Sequence, residues 1–198
     1  MSRLVFATSN AHKTEEVAAI LGEKWQVEDL RAHPTVMLDE ETGDTFEANA
    51  IIKAVSGSRG APGLLVLADD SGLEVDVLGG APGVRSARYA GETANAADNR
   101  AKLKTELVKQ PQDIRFSGRF RCCMVLARDG EVLHVTHGSV EGRLLTEEVG
   151  AGGFGYDALF IPDGFTDTFG VLPAETKNLL SHRARALAAM KEQLASLA

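Results

Sequence analysis

Asp69 and Asp70 stand side by side, with Ser71 and Gly72 after them and the apolar run Leu64-Leu65-Val66-Leu67-Ala68 before them. A run without polar alternation suits a strand covered on both faces, as at the parallel centre of an α/β sheet. In such sheets ligands bind beyond the carboxyl ends of the strands. Carboxylates there suit a hard cation such as Mg²⁺, which prefers oxygen donors. Asp-Asp-Ser-Gly is also good turn chemistry. The stretch therefore reads either as a turn or as a cation site. A second ligand for that cation is at hand in the acidic loop Leu38–Gly43, where Glu40 and Glu41 are either solvated charges or partners of Asp70.

Cations occur where helix physics disfavours them. Leu4–Ala7 reads as a short buried strand, and Thr8-Ser9-Asn10 leads from it into a helix with Val17, Ile20 and Leu21 on its apolar face and Gly22 at its end. Ser9 or Asn10 caps that helix. His12 and Lys13 then fall in its first turn, against the macrodipole. Lys13 is either an exposed side chain carrying a small penalty or part of an anion site made with free backbone N–H groups. The last helix repeats the pattern. Ser181 caps it, His182 and Arg183 occupy its first turn, and Leu187, Met190, Leu194 and Leu197 form its buried face. Two such helices in a chain with a central acidic site point to an anionic ligand balanced by a cation.

The third loaded stretch is Gly150-Ala-Gly-Gly-Phe-Gly-Tyr-Asp157. Glycines admit close backbone approach, and Phe154 and Tyr156 offer flat faces for stacking on a nucleobase. Asp157 either accepts hydrogen bonds from a base or organises the loop. An ordinary packing turn has the same composition.

Further elements must hold these residues in place. Trp25–Leu30 reads as a strand. A helix follows the acidic loop, with Asp44 and Glu47 resembling a capping box and Phe46, Ala50, Ile51 and Ala54 as its apolar face. Residues 58–63 read as a turn into the central strand, and Leu73, Val75 and Val77 as an alternating piece after it. The segment 79–83 reads as an irregular loop, and 95–109 as a helix ending before Pro111. From Phe116 to Val140 long alternating strands join at Arg128-Asp129-Gly130, a hairpin signal. Phe116, Phe120 and Cys122 share one face there, with Arg115, Arg119 and Arg121 on the solvent face rather than as ligands. This section either forms a second lobe or extends one mixed sheet. Ala158–Ile161 returns to strand.

With 198 residues, 44% hydrophobic and 25% charged, the chain has the composition of an ordinary globular protein. Its net charge of −7 argues against a broad nucleic-acid-binding face. Adjacent Cys122 and Cys123 point to opposite faces of a strand, which disfavours a disulfide framework and a zinc site alike and fits a reducing cytoplasm. The N-terminal apolar run is too short for a signal sequence or a membrane span.

Thr8-Ser9-Asn10 with Lys13, Glu41-Thr42-Gly43 before Thr45-Phe46 and Asn49-Ala50, and Ala68–Gly72 form one set of blocks. Gly79–Gly83, Ser86–Tyr89, Gly152–Asp157, Lys177 and Ser181-His182-Arg183 form another. Together, from about residue 3 to the end, they resemble the Ham1-type inosine/xanthosine triphosphate pyrophosphatases. The resemblance implies one domain over 1–198 with an α/β fold. The resemblance further implies that this fold is an elongated mixed β-sheet flanked by helices, in two lobes with the active site in the cleft between them, and that the protein is a homodimer. It implies Mg²⁺-dependent hydrolysis of non-canonical purine nucleoside triphosphates (ITP, dITP, XTP) to the monophosphate and pyrophosphate, which cleanses the nucleotide pool.

On that basis Asp70 and Glu41, with Glu40 as the other candidate, are expected to hold Mg²⁺, and Asp70 to be the base for the attacking water. Lys13 and the Thr8, Ser9, Asn10, Ala11 and His12 segment are expected to bind the triphosphate, and Ser71 to contact the nucleotide near the metal. Phe154, Gly155, Tyr156, Asp157, Lys177, His182 and Arg183 are expected to build the base pocket. Donors such as Lys177 and Arg183 suit the 6-keto oxygen of inosine and xanthine and would be left unpaired by adenine. Two rivals keep parts of this picture. A non-catalytic nucleotide-binding regulator needs no paired acids, and a related pyrophosphatase would act on modified pyrimidines or standard nucleotides.

Overall fold

A computed structural model describes residues 2–111 and 113–197. Among them the order is β1 (Ser2–Phe6), α1 (Ala11–Leu21), β2 (Trp25–Asp29), α2 (Phe46–Gly60), β3 (Leu65–Val75), α3 (Ala96–Val108), β4 (Ser117–Arg128), β5 (Glu131–Leu144), β6 (Phe160–Pro162), α4 (Ala174–Leu180) and α5 (His182–Leu197). The strands form one mixed sheet in the order β2-β1-β3-β4-β5-β6. β1 is parallel to β2 and β3, and β5 is antiparallel to β6.

The chain divides into two compact units. The first contains Met1–Asp70, Cys122–Gly138 and His182–Ala198. Its central strand segments, β1 with the Leu65–Ala68 part of β3 and the Cys122–Ala127 part of β4, are apolar on both faces. On one side Leu4, Phe6, Leu65, Leu67, Cys122, Met124 and Leu126 pack with Val17 of α1 and Ala186, Leu187, Met190 and Leu194 of α5. On the other, Val5, Ala7, Val66, Ala68, Cys123, Val125 and Ala127 pack with Ala50 and Ala54 of α2. The period-two side-chain alternation thus sorts each strand into two cores. It also sends the free thiols of Cys122 and Cys123 to opposite sides.

The second unit contains Ser71–Arg121 and Ser139–Ser181. Its core joins Leu73, Val75, Leu103, Leu107, Phe120, Val140 and Leu144 to the aromatic group Tyr156, Phe160 and Phe169. Arg119 lies on the opposite strand face with Glu74, Asp76 and Glu141, and Arg121 pairs with Glu74. The structure thus has these arginines as solvent-side partners of carboxylates.

Several local expectations change. β3 does not stop in a turn at Asp69-Asp70; it runs on through Ser71 and Gly72 to Val75. The turn-forming side chains lose to tertiary partners that satisfy both acids where they stand. α2 is capped by Thr45, whose Oγ1 accepts from the Ala48 amide at 3.1 Å, so Asp44 and Glu47 form no box there. The same helix continues through Ser58 to Gly60 because its small residues lie close to other chain segments. A Cβ on Gly57 would sit 3.2 Å from Val66, and one on Gly60 3.0 Å from Val36. Ala158 and Leu159 belong to a short 3₁₀ turn, with strand only from Phe160. The expected hairpin is present, with Asp129 and Gly130 at φ 51° and 86°, as a right-twisted two-residue turn requires. Among the described residues, no helix is long and apolar enough to cross a membrane.

Candidate functional site

The first unit carries the acidic chemistry, and strand alternation decides its form. Asp69 continues the Leu65 and Leu67 face, and Asp70 continues the Val66 and Ala68 face. The two adjacent carboxylates therefore point to opposite sides of β3 and cannot share one cation. Each has its own environment.

Asp69, 2% exposed, is enclosed by cations. Lys13 Nζ donates to Oδ1 at 2.8 Å, and the Arg183 guanidinium donates to Oδ2 at 2.8 Å and to Glu16 Oε2 at 2.5 Å. Burial alone would raise the Asp69 carboxyl, but Lys13, Arg183 and Lys53 hold it well below the usual carboxylate range. Both helix-start cations that oppose their macrodipoles, Lys13 on α1 and Arg183 on α5, thus meet one internal anion. Arg183 is 1% exposed, whereas the Lys13 side chain retains 17%. His182 is buried beside Arg183.

Asp70 faces α2. Asn49 Nδ2 donates to its Oδ2 at 3.3 Å, and Lys53 Nζ lies 3.4 Å from its Oδ1. The same ammonium is 3.2 Å from Glu41 Oε2. Burial pushes the Asp70 carboxyl up despite the pull of Lys53, and Glu41 adds to the rise. Burial works against the Lys53 charge, yet Asp70, Asp69 and Glu41 outweigh it and raise its affinity for the proton. Asn49 joins the acidic loop to the strand, because its Oδ1 also accepts the Gly43 amide at 2.8 Å. A Cβ on Gly43 would lie 2.6 Å from Ala48 and 2.7 Å from Asn49 Oδ1, so this approach needs glycine. Glu41 is drawn in by these contacts; Glu40 remains exposed.

Two oxygen donors, Glu41 and Asp70, thus converge on one positive charge. That donor set fits a hard cation. Lys53 and Asn49 are not among the expected site residues, although Asn49 lies in one of the blocks that carry the family resemblance. The available signal was their spacing on the polar side of α2, which by itself reads as solvated helix surface.

The Thr8–Lys13 segment is wound on itself. Asn10 caps α1 by accepting from the His12 amide at 3.1 Å, and the Asn10 amide donates to Thr8 Oγ1 at 3.1 Å. Two amides of the expected phosphate cradle are thus engaged within the loop. Ser9 and His12 are exposed, and Thr8, Asn10, Ala11 and Lys13 are half-buried.

In the second unit, Asp157 organises the glycine loop. Its Oδ2 accepts the Phe154 amide at 2.8 Å and Lys177 Nζ at 2.5 Å. A Cβ on Gly153, which has φ +67°, would lie 2.1 Å from that oxygen. Lys177 is buried and lies 4.5 Å from the centre of the half-buried Phe154 ring. The Tyr156 ring is not a free stacking face. It is buried in the core, and its hydroxyl donates to the Ser86 carbonyl at 2.8 Å. The Gly155 carbonyl accepts from Arg100 at 3.0 Å. Ser71 lies half-buried on β3.

Comparison with known proteins gives consistent results. A family model described as the Ham1 family matches residues 4–193. A dITP/XTP pyrophosphatase of Desulforamulus reducens is 47% identical over 186 residues, 93% of this chain and 92% of its own length. One from Geobacter sulfurreducens is 46% identical over 195 residues, 98% of this chain and 97% of its own. Among solved structures, a HAM1 protein from Coxiella burnetii matches with a TM-score of 0.85 and 36% identity over 99% of this chain and 100% of its own. The Staphylococcus aureus Ham1 protein gives 0.83 and 34%, with full coverage of both chains.

Proposed function

Since the chain belongs to the Ham1 family, we propose that it hydrolyses non-canonical purine nucleoside triphosphates of the dITP, ITP and XTP class. Water attacks the α-phosphorus, the bond from that phosphorus to the α,β-bridging oxygen breaks, and the nucleoside monophosphate, pyrophosphate and a proton leave. The observation that carries the reading is the convergence of Glu41 and Asp70 on one cationic position. A regulator that only binds nucleotide has no use for two carboxylates held together in this way.

Glu41 and Asp70 are the residues that would hold the metal, with Mg²⁺ the ion their oxygen donors suit. When bound, it supplies charge neutralisation at the phosphate oxygens. Asp70 is assigned as acceptor of the water's proton, a task helped by the burial that raises its proton affinity. Lys53 keeps Glu41 and Asp70 together and places a positive charge beside them. Lys13 has one donor on Asp69 and an ammonium with three in all, which leaves capacity for a phosphate oxygen at the start of α1.

Base recognition is assigned to the second unit, with the Phe154 ring for stacking and Lys177 as donor to a 6-keto oxygen. Asp157 fixes that lysine through its 2.5 Å contact. Adenine presents an amine at this position and would leave the buried donor unpaired, a loss that can discriminate strongly. Pool cleansing, a cytoplasmic setting and a homodimer complete the proposal. Pyrophosphate release from ITP and XTP that requires added Mg²⁺ and is lost in Asp70→Asn tests it. Binding of ITP without release would favour the regulator.

A further inference from the structure

Outside the Glu41–Asp70 pair, a second ligand cluster occurs on the α2 side of the first unit. Glu47 comes from the first turn of α2, Cys123 from β4 and His137 from β5, and one ligand atom of each lies within 4.8 Å of the others. Glu47 Oε2 and His137 Nε2 are already 3.2 Å apart. Donor atoms around a tetrahedral zinc lie about 3.3–3.8 Å apart, given bonds of about 2.0–2.3 Å. The Glu47 and His137 side chains are 50% and 62% exposed, while Cys123 is held at 1% exposure by the sheet. We propose that Glu47, Cys123 and His137 form a binding site for a borderline-soft divalent metal of the Zn²⁺ class, distinct from the hard-cation position between Glu41 and Asp70.

The donor chemistry separates the two sites. Thiolate with imidazole favours Zn²⁺ or Co²⁺ over Mg²⁺, whereas a pair of carboxylates also suits the hard Mg²⁺ ion. Three protein donors leave a fourth position for water or a ligand. Metal entry breaks the Cys123 S–H bond, forms the metal–sulfur bond and releases the proton to solvent, with no change in oxidation state. In the metal-free protein, burial pushes the Cys123 thiol up to about 12, with Glu47, Asp70 and Asp69 adding to the rise. The buried thiol is therefore neutral in the metal-free protein, and metal entry must displace its proton.

The test uses the full chain stripped with chelator and titrated with Co²⁺, then Zn²⁺, at neutral pH. The expected result is a thiolate-to-cobalt charge-transfer band that saturates at one equivalent and is bleached by Zn²⁺. Cys123→Ser removes the band, while Cys122→Ser and Glu41→Gln keep it. His137→Ala, a change at an exposed position that leaves the core intact, weakens Co²⁺ binding by at least the about tenfold that loss of an outer-shell partner costs a metal site. A wild-type protein without the band overturns the proposal. So does a band that survives Cys123→Ser, or affinity unchanged in His137→Ala.

Discussion

At the scale of residues, the adjacent acids illustrate how one register step separates two tasks. Asp69 collects Lys13 and Arg183, and Asp70, paired with Lys53, is the acid to which the proposed chemistry is assigned. Removing one partner of a buried ion pair leaves an uncompensated charge, which costs about 3–5 kcal/mol. Asp69→Asn is accordingly expected to lower stability by about that amount in urea unfolding. Arg121→Ala, at a half-exposed pair with Glu74, should cost no more than the about 1 kcal/mol typical of surface pairs. Equal losses from the two would contradict the assignment. A pH prediction follows from Asp29, whose carboxyl is lowered to about 2, chiefly by its hydrogen bonds with Arg31. A depressed folded-state value favours the folded protein above the unfolded value of about 3.9. The stability gap between wild type and Asp29→Asn should therefore be constant above about pH 4 and close as pH falls toward about 2. A gap that widened on acidification would reverse the sign and the account.

At the scale of elements, sequence patterning located most of the strands and helices and both ends of α1, at Asn10 and Gly22, but not α4, the cap of α2 or the course of β3. The continuous apolar run of β3, the hairpin at Asp129-Gly130 and the face of α5 are all determined by local periodicity, and all are legible. That β3 crosses Asp69-Asp70 without turning is not, because it depends on Lys13, Lys53 and Arg183, which lie far away in the chain. The same holds for Tyr156, whose aromatic ring reads equally well as a stacking face or as core until Ser86 and its neighbours are in place. Three substitutions test the elements and their ends. Thr45→Ala removes the α2 cap and should cost about 1 kcal/mol, while Asp44→Ala should cost little, as measured by urea unfolding. Gly138→Ala should be more damaging, since its Cβ would fall 2.0 Å from the His182 carbonyl oxygen and 2.5 Å from the Ala186 amide, where α5 begins. Backbone groups cannot yield as a flexible side chain does, so the start of α5 and its Arg183 must shift.

At the scale of the whole molecule, the two units have different expected tasks. Asp70, Glu41, Lys53 and Lys13 belong to the first, and Phe154, Asp157 and Lys177 to the second. Lys177→Met should therefore alter selectivity among nucleobases, lowering kcat/KM for ITP more than for ATP. Asp70→Asn should lower turnover of every triphosphate by a similar factor. The most direct test of the central claim is pyrophosphate release from ITP, XTP, dITP, GTP, ATP and dUTP, with and without Mg²⁺, by the wild type and Asp70→Asn. The account predicts strong metal-dependent release from ITP, XTP and dITP, weak release from the other three, and loss throughout in the variant. Undiminished release by Asp70→Asn, or release independent of any divalent cation, would contradict it.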